Sequence, residues 1–391
     1  MRDGWVETTL DAIAEVVMGQ SPDGKTYNQD GKGLPFMQGS AEFGEHNPAP
    51  EKWCSDPKKV AEPGDLLLSV RAPVGDTNFA DQRIAVGRGL SIIRANKESR
   101  TEFIRLVIQF NVTELIASSG SGMFASITGK NLKEFKVNLP PLPEQRRIVD
   151  LISSVDSYIE GLQRQLESAK GSRNAVLHEL LTAGGDGWVE TTLGNVVSVV
   201  NGGTPSTKND DFWGGPIVWV TTTELTAFDG KKVSSSKRTI TADGLSSGPA
   251  RLVRAGTTLV GTTATIGTCA MADCELTFNQ QISGLVPLDG SLDDNYLFYW
   301  IQHIKPILEG LSAGTSFRRI STSVLKTVSI NFPPIEEQRR AVVMISQIDR
   351  FIESIQQTSI AAKNLRVGLL SDLLSGDHAI PTSYDKVMGA A

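Results

Sequence analysis

The sequence predicts an α+β protein. Two globular mixed α/β regions stand in tandem repeat, joined by two long helices forming an antiparallel intramolecular coiled coil with pseudo-two-fold symmetry. Three observations carry this expectation. Several segments recur in the same order at matched spacing. Two stretches place apolar residues at a 3.5-residue period over four heptads. Elsewhere the chain breaks into short apolar runs bounded by Gly, Pro and Asp, the punctuation of strands and turns.

The repeat comes first. GWVETTL occurs at Gly4–Leu10 and again, identically, at Gly187–Leu193, an offset of 183. LPPLPEQRR (Leu139–Arg147) returns as FPPIEEQRR (Phe332–Arg340), an offset of 193. The same offset aligns SGMFASITGKNL (Ser121–Leu132) with GTSFRRISTSVL (Gly314–Leu325). LHELLT at Leu177 is echoed by LLSDLLS at Leu369. Between these stations the halves diverge, so one scaffold is expected to serve two different recognition tasks. The expected segmentation is 1–142 (first globular region), 143–186 (first long helix and linker), 187–335 (second globular region), 336–376 (second long helix) and 377–391 (tail).

Within the globular regions, Leu66–Val70, Ser91–Ile93, Leu252–Val253 and Gly284–Val286 read as strands. Thr101–Ala117 and Asp294–Leu311 carry helical spacing, through Phe103, Leu106, Val107 and Phe110, then Leu297, Tyr299, Trp300, Ile304 and Ile307. Pro140, Pro141 and Pro143 end the preceding strand, and Pro143 fits a first helical turn, where a missing N–H costs little. Glu144, and Glu336 with Glu337, sit near the positive end of a helix dipole.

The first seam runs Ile148, Ile152, Val155, Ile159, Leu162, Leu166, Ala169, Arg173, Val176, Leu180. The second runs Ala341, Ile345, Ile348, Ile352, Ile355, Ser359, Ala362, Arg366, Leu369, Leu373, in the same steps of three and four. Arg173 and Arg366 occupy one seam station. Such a charge can fix register and orientation, or it can reach solvent where the seam is thin. At 1.5 Å per residue, about 35–40 helical residues give a rod of roughly 50–60 Å. Intramolecular antiparallel pairing is the simplest closure, and an intermolecular dimer through the same seam is the alternative.

Composition bounds the chemistry. The 391 residues are 40% hydrophobic and 21% charged, as in ordinary globular proteins. No apolar run approaches the roughly 20 residues that span a bilayer, and MRDGWVETTL is too polar for a signal peptide. Three sparse cysteines (Cys54, Cys269, Cys274) fit a reducing cytoplasm. Four scattered histidines and Cys269-x4-Cys274 without a second ligand pair make no zinc site, so no metal site is expected. Gly19-Gln-Ser-Pro-Asp-Gly24-Lys25-Thr26 satisfies the phosphate-loop pattern GxxxxGK[ST]. A working phosphate loop needs a helix directly after it, and TYNQDGKGLP cannot start one. No catalytic residue is expected in this chain.

These residues resemble a known family. The PLPEQRR and PIEEQRR starts of long heptad helices, the GWVETTLG…GGTPS segment and GTSFRRIS together look like the specificity subunit of a type I restriction-modification system. The resemblance covers essentially the whole chain. It implies two target recognition domains, each reading one half of a split, asymmetric double-stranded DNA target. It also implies that the helices space these domains and dock two methyltransferase (modification) subunits, with restriction/translocase subunits in the full complex. Adenine methylation, ATP hydrolysis and cleavage would belong to those partners, so S-adenosylmethionine, ATP and Mg are implied for them and no cofactor for this chain. A cytoplasmic, membrane-free location follows. A coiled-coil scaffold binding two protein partners without sequence-specific DNA is the competing reading.

Phosphates call for Lys, Arg, Ser and Thr, and base edges for Arg, Gln or Asn. The candidate DNA contacts lie in loops at equivalent framework positions. Ser21, Lys25 and Tyr27 are set roughly against Ser206, Lys208 and Asn209. Arg71 lies in the turn matched by Gly261–Gly267, and Arg88 aligns near Gln280 and Gln281. Lys130 and Lys133 precede the first long helix as Arg318 and Arg319 precede the second. Lys231, Lys232, Lys237 and Arg238 form the densest basic cluster. The net charge of −6 is not concentrated: Lys+Arg against Asp+Glu is 16 to 18 over 1–142, 5 to 7 over 143–186, 11 to 12 over 187–335 and 6 to 7 over 336–391. Such a chain has little field to drive non-specific DNA binding, so phosphate affinity should come largely from the methyltransferase partners.

Overall fold

The computed structural model describes residues 4–44, 47–117, 126–312 and 319–387. The class is α+β, with a mixed α/β region in each half and two helices of 41 residues, Leu142–Thr182 and Ile335–Ser375. The chain divides into two compact units: Met1–Gln163 with Gln357–Ala391, and Arg164–Gln356. Each long helix therefore gives one half to each unit.

The first unit opens with Val6–Thr9 paired antiparallel to Lys136–Leu139. A four-stranded antiparallel sheet follows, in the order Ala14–Met18, Leu90–Ala95, Leu66–Ser69, Thr77–Phe79. The middle strands are buried on both faces over Leu66–Ser69 and over 90–93, where apolar residues dominate. A five-stranded mixed sheet carries Leu34–Met37 and Ile84–Val86 at its centre. The second unit repeats this plan. Val189–Thr192 pairs with Ser329–Phe332 in the same register, and Ile282–Pro287 and Thr258–Gly261 form the centre of a five-stranded sheet. Trp213–Val220 lies at the centre of a three-stranded sheet beside Leu276–Phe278.

The two helical stretches preceding the long helices are each interrupted. Helix Thr101–Phe110 stops before Val112–Ala117, and Asp294–His303 before Lys305–Leu311. Asn111 Nδ2 donates to the Val107 carbonyl, a side-chain bond that competes with the helical ladder. Pro306 begins the other second helix without an N–H to give. Around the breaks two of the expected apolar positions, Phe110 and Ile307, are exposed, while Leu115 and Leu308 beyond them are buried.

The repeated EQRR motif has a structural reason. Gln145 and Gln338, in the first turn of each long helix, have no solvent exposure. Gln145 accepts from the Arg100 N–H (2.9 Å) and donates to the carbonyls of Glu98 (3.0 Å) and Pro140 (2.9 Å). Gln338 accepts from the Asp293 N–H (2.8 Å) and donates to Ser291 (2.7 Å) and Pro333 (2.8 Å). One side chain thus ties three backbone groups, locking the long helix to the loop that starts the preceding helix. The identical GWVETTL segments behave less alike. Trp5 is buried and donates from Nε1 to Glu144 Oε2 (3.2 Å), whereas Trp188 is only half-buried.

In the first unit, Ile148 and Ile152 share a core with Leu370 and Leu373, while Asp156 meets Arg366. The two helix halves therefore run antiparallel. Ile159 and Leu162 are buried, Val155 and Leu369 partly so. In the second unit, Leu177 and Leu181 share a core with Ala341 and Ile345, and Arg173 meets Asp349. Ile355 is buried there, with Ile348, Ile352 and Leu166 partly so. The seam arginines are not left to solvent. Arg366 donates Nε and Nη2 to Asp156, and Nη2 also reaches Gln109 Oε1 (3.4 Å). Arg173 does the same with Asp349 and reaches Gln302 Oε1 (2.9 Å), and the Tyr299 hydroxyl donates to Asp349 Oδ2 (2.9 Å). Toward the helix end the apolar contact shifts by one residue, with Leu177 and Leu181 buried and Leu180 only partly so.

Two outcomes follow. Gln145→Ala leaves three backbone groups without this partner and is expected to lower unfolding free energy by about 2–4 kcal/mol, measured by urea denaturation. Arg366→Asp alone should destabilise by about 1–3 kcal/mol, and Arg366→Asp with Asp156→Arg should recover part of that loss in a double-mutant cycle.

Candidate nucleic-acid interface

The hydrogen-bond ladder aligns the two globular regions residue by residue. In the first unit Gly19 N–H donates to Leu90 O, Gln20 N–H to Val86 O, Gly87 N–H to Met37 O and Val70 N–H to Gly89 O. In the second, Gly202 N–H donates to Ile282 O, Gly203 N–H to Phe278 O, Asn279 N–H to Val220 O and Thr262 N–H to Gln281 O. Gly19 and Gly202 are required by close approach: a Cβ would lie 2.2 Å from Gly87 O and 2.0 Å from Asn279 O. This alignment sets Ser21 against Thr204, two residues before Ser206, and Arg88 against Gln280.

Arg88 and Gln280 sit one residue into equivalent tight turns, closed by Leu90 N–H to Gly87 O (3.1 Å) and Ile282 N–H to Asn279 O (3.1 Å). Both are exposed. Ser21 Oγ meets the Arg88 N–H (3.4 Å) and the Gln38 side chain (3.0 Å from Nε2), while Thr204 Oγ1 donates to Gln280 Oε1 (2.5 Å). Beside each turn lies an isolated bridge, Arg71 opposite Ser126 and Thr263 opposite Arg319. The same station thus holds one arginine in each unit, donated from opposite sides. In the first unit a cavity of about 550 Å³ opens here, lined by Gln38, Ser40, Glu42, Arg71, Asp76 and Arg88. Burial pushes the Glu42 carboxyl up, with Lys52 opposing and Glu51 adding. Carboxylates beside two arginines suit base edges, which offer donors and acceptors, better than a row of phosphates.

The other candidates separate. Lys25 is exposed on a single 3₁₀ turn, Gly24–Thr26, that runs directly into the strand Tyr27–Asn28. No helix follows this segment, so the phosphate-loop reading of Gly19–Thr26 fails on geometry. Tyr27 is held in place by its neighbours: its ring stacks on Phe36 at 4.7 Å and its hydroxyl donates to Pro22 O (3.0 Å). Lys130 and Lys133 pair with Glu134 (3.9 Å) and Asp11 (3.2 Å). Lys208 is exposed, its N–H on Ser206 Oγ (3.4 Å). Gln281 is half-buried, its carbonyl accepting from the Thr222 hydroxyl (2.9 Å). Arg319 is exposed, and Arg318 lies outside the described residues.

The basic cluster of the second half is split by the fold. Lys232 pairs with Asp273 (3.4 Å), and Lys231 lines a groove with Tyr299 and Asp349. Lys237 and Arg238 lie elsewhere, with Arg238 beside two tryptophans. The Arg238 guanidinium stacks 3.5 Å from the Trp213 ring centroid and 5.6 Å from that of Trp219. Trp213 Nε1 in turn donates to Ser206 O (3.1 Å). The fold thus brings Ser206 and Arg238 together and leaves a flat, exposed guanidinium edge. Glu224 anchors this loop: it accepts from the Lys237 N–H (2.6 Å), the Thr221 N–H (2.9 Å) and the Thr221 hydroxyl (2.7 Å). Burial pushes its carboxyl up, but those donors prevail and hold it below its ordinary value. Sequence reasoning missed Gln38, Thr204, Trp213 and Glu224; only the 183 offset of Ser21 to Thr204 could have pointed to one of them.

A family model described as type I restriction modification DNA specificity domain matches twice, over residues 2–169 and 185–364. The chain belongs to this family. A Methanocaldococcus jannaschii sequence designated the MjaX specificity subunit is similar to it at 38% identity over 178 residues, 45% of this chain and 42% of the relative. The EcoR124I/EcoR124II specificity subunit of Escherichia coli aligns at 26% over 249 residues, 59% of each. Over these curated relatives the chain spans only about half their length. Among solved structures, a chain from the complex assembly of the type I R-M system matches with a TM-score of 0.68 at 22% identity, covering 97% of this chain and 99% of that one. The HsdS subunit of Thermoanaerobacter tengcongensis matches with a TM-score of 0.53 at 22% identity, covering 97% and 98%. The two specificity-domain matches coincide with the two mixed α/β regions, and each extends into the long helix that follows it.

The Glu224 anchor gives a pH-dependent outcome. A folded-state pKa below the unfolded value stabilises above the ordinary carboxylate range, and that contribution disappears as pH falls through the folded value. Glu224→Ala is expected to cost about 1–3 kcal/mol at pH 7. In urea titrations the gap between wild type and variant should shrink at about pH 3.

Proposed function

We propose that this chain is the DNA-reading subunit of a type I restriction-modification complex. Each specificity-domain region reads one half of a bipartite, asymmetric double-stranded target. The long helices set the half-site spacing and dock two methyltransferase subunits, and restriction/translocase subunits join in the full complex. The chain supplies no catalytic group. S-adenosylmethionine, ATP and Mg serve the partners, and the complex works in the cytoplasm.

The observation that carries this reading is the pairing of one backbone ladder with two different sets of side chains. A scaffold for two copies of one partner has no use for Arg71 and Arg88 at one station and Thr263, Gln280 and Arg319 at the other. Partner docking is supported by the second long helix, which exposes Val343, Met344, Phe351, Ile360, Leu365 and Val367. Exposed apolar side chains spaced along one long helix offer anchor points for other proteins. The chain's own charge, −6, favours a division of labour in which partners clamp phosphates.

The test is reconstitution with the methyltransferase partners, followed by methylation mapping and gel shift. The complex is expected to modify one bipartite sequence and to bind it at least tenfold tighter than random duplex, while the bare chain binds both weakly in physiological salt. Equal binding of random and target duplex by the complex would sink the reading. Inserting one heptad into each long helix should change the gap between half-sites and leave both half-sequences as they were; altered half-sequences would contradict the spacer role.

A further inference from the structure

Two turns occupy one place in the two units and carry different chemistry. Arg88 and Gln280 are each the second residue of a turn closed by a 3.1 Å backbone bond. Each is exposed and follows a residue whose carbonyl presses against a glycine of the opening loop. Each touches the hydroxyl of the matched loop residue, Ser21 in one unit and Thr204 in the other. The Ser21 contact is to the Arg88 backbone, so the guanidinium is left free of that hydroxyl. The Thr204 contact is to the Gln280 carbonyl, so it orients the amide while one lone pair and both N–H groups stay available. Neither residue makes an ion pair within the described residues.

The two side chains differ in what they can read. A guanidinium fork matches the O6 and N7 acceptors of guanine; a carboxamide matches the N6 donor and N7 acceptor of adenine. Neighbouring groups keep the contrast. The first station adds Arg71, a second guanidinium, with Gln38 and Asp76 on the cavity wall. The second places Thr263 where Arg71 stands, and its arginine, Arg319, comes from across the bridge. We infer that residues 88 and 280 are the equivalent specificity determinants of the two regions, Arg88 reading a guanine in one half-site and Gln280 an adenine in the other. This rests on the DNA-reading function proposed above.

The experiment uses the full chain reconstituted with its methyltransferase partners. Competition binding is measured on duplexes carrying each of the four base pairs at every position of both half-sites. Wild type should demand guanine at one position of the first half-site and adenine at one position of the second. Arg88→Gln should shift the preference at that first position from guanine toward adenine, with the ratio changing about tenfold or more, and leave the second half-site untouched. Gln280→Arg should do the converse in the second half-site. If Arg88→Gln fails to assemble, Gln280→Arg decides alone.

A different pattern would overturn the inference. Were both residues phosphate contacts, each variant would change affinity evenly across all base pairs, with a salt slope altered by about one. Half-site preferences that stay the same in both variants would overturn it equally. A wild-type complex with no half-site preference would instead refute the DNA-reading function itself, so the two failures are distinguishable.

Discussion

The constraint on which the rest depends is the pairing of a seam arginine with an aspartate from the other long helix. Arg173 and Arg366 stand at one heptad position of the repeat, and Asp156 and Asp349 at another, each pair 193 residues apart. Antiparallel pairing satisfies both at once, Arg366 with Asp156 in one unit and Arg173 with Asp349 in the other. A parallel in-register arrangement would instead oppose like charge to like. Placing a part-buried charge in an apolar seam favours a register that gives it a partner, so the ion pairs bias direction and register where leucine and isoleucine alone would not. The helix preceding each long helix contributes a glutamine to the same guanidinium, Gln109 in one unit and Gln302 in the other, so the seam is coupled to the globular core.

Because each long helix serves both units, neither repeat completes its hydrophobic core by itself. The first core joins Leu10, Phe103 and Ile148 to Leu370 and Leu373 from the far end of the chain. The buried glutamines then fix where each helix leaves its globular region. Gln145 and Gln338 hold the same three kinds of backbone partner, which explains why this glutamine stands in both copies while the exposed loops diverge. Rigid elements carry the repeat, and exposed turns carry the differences.

Much of this was readable in the sequence, and the exceptions have physical causes. The 3.5-residue period located the seam through Ile148, Ile152, Ile159 and Leu162, since helix-on-helix packing imposes that period. It misplaced the end, choosing Leu180 where Leu177 and Leu181 are buried. There the helix packs on Leu193 and Ile330 of the globular core as well as on Ala341 and Ile345, so the buried face is no longer set by the partner helix alone. Periodicity likewise could not show that Asn111 and Pro306 break the two helical stretches. The basic cluster Lys231, Lys232, Lys237 and Arg238 was dense in sequence and divided in space, because the loop between the two pairs leaves one sheet for another. The tryptophans beneath Arg238 carried no local signal, lying some 20 residues away in a different strand. The stations at Arg88 and Gln280 were approximately placed by the repeat, but only the backbone ladder fixed their equivalence.

The acidic balance acquires a physical meaning from these positions. Several cations suited to phosphate are already neutralised by neighbouring carboxylates: Lys133 by Asp11, Lys232 by Asp273, Lys130 by Glu134. Others have no ion pair within the described residues: Arg71 and Arg88 line a cavity and Arg238 lies on an aromatic shelf, while Lys25, Lys208, Lys231 and Lys237 stay exposed. A mobile surface lysine binds any phosphate, whereas a positioned guanidinium gains most from an acceptor pair at the right spacing. In the DNA-reading function proposed above, each lysine paired in this way contributes less non-specific attraction, while the positioned arginines keep discrimination. Specificity is a difference of affinities, so reducing binding to wrong sequences raises it as surely as strengthening binding to the right one.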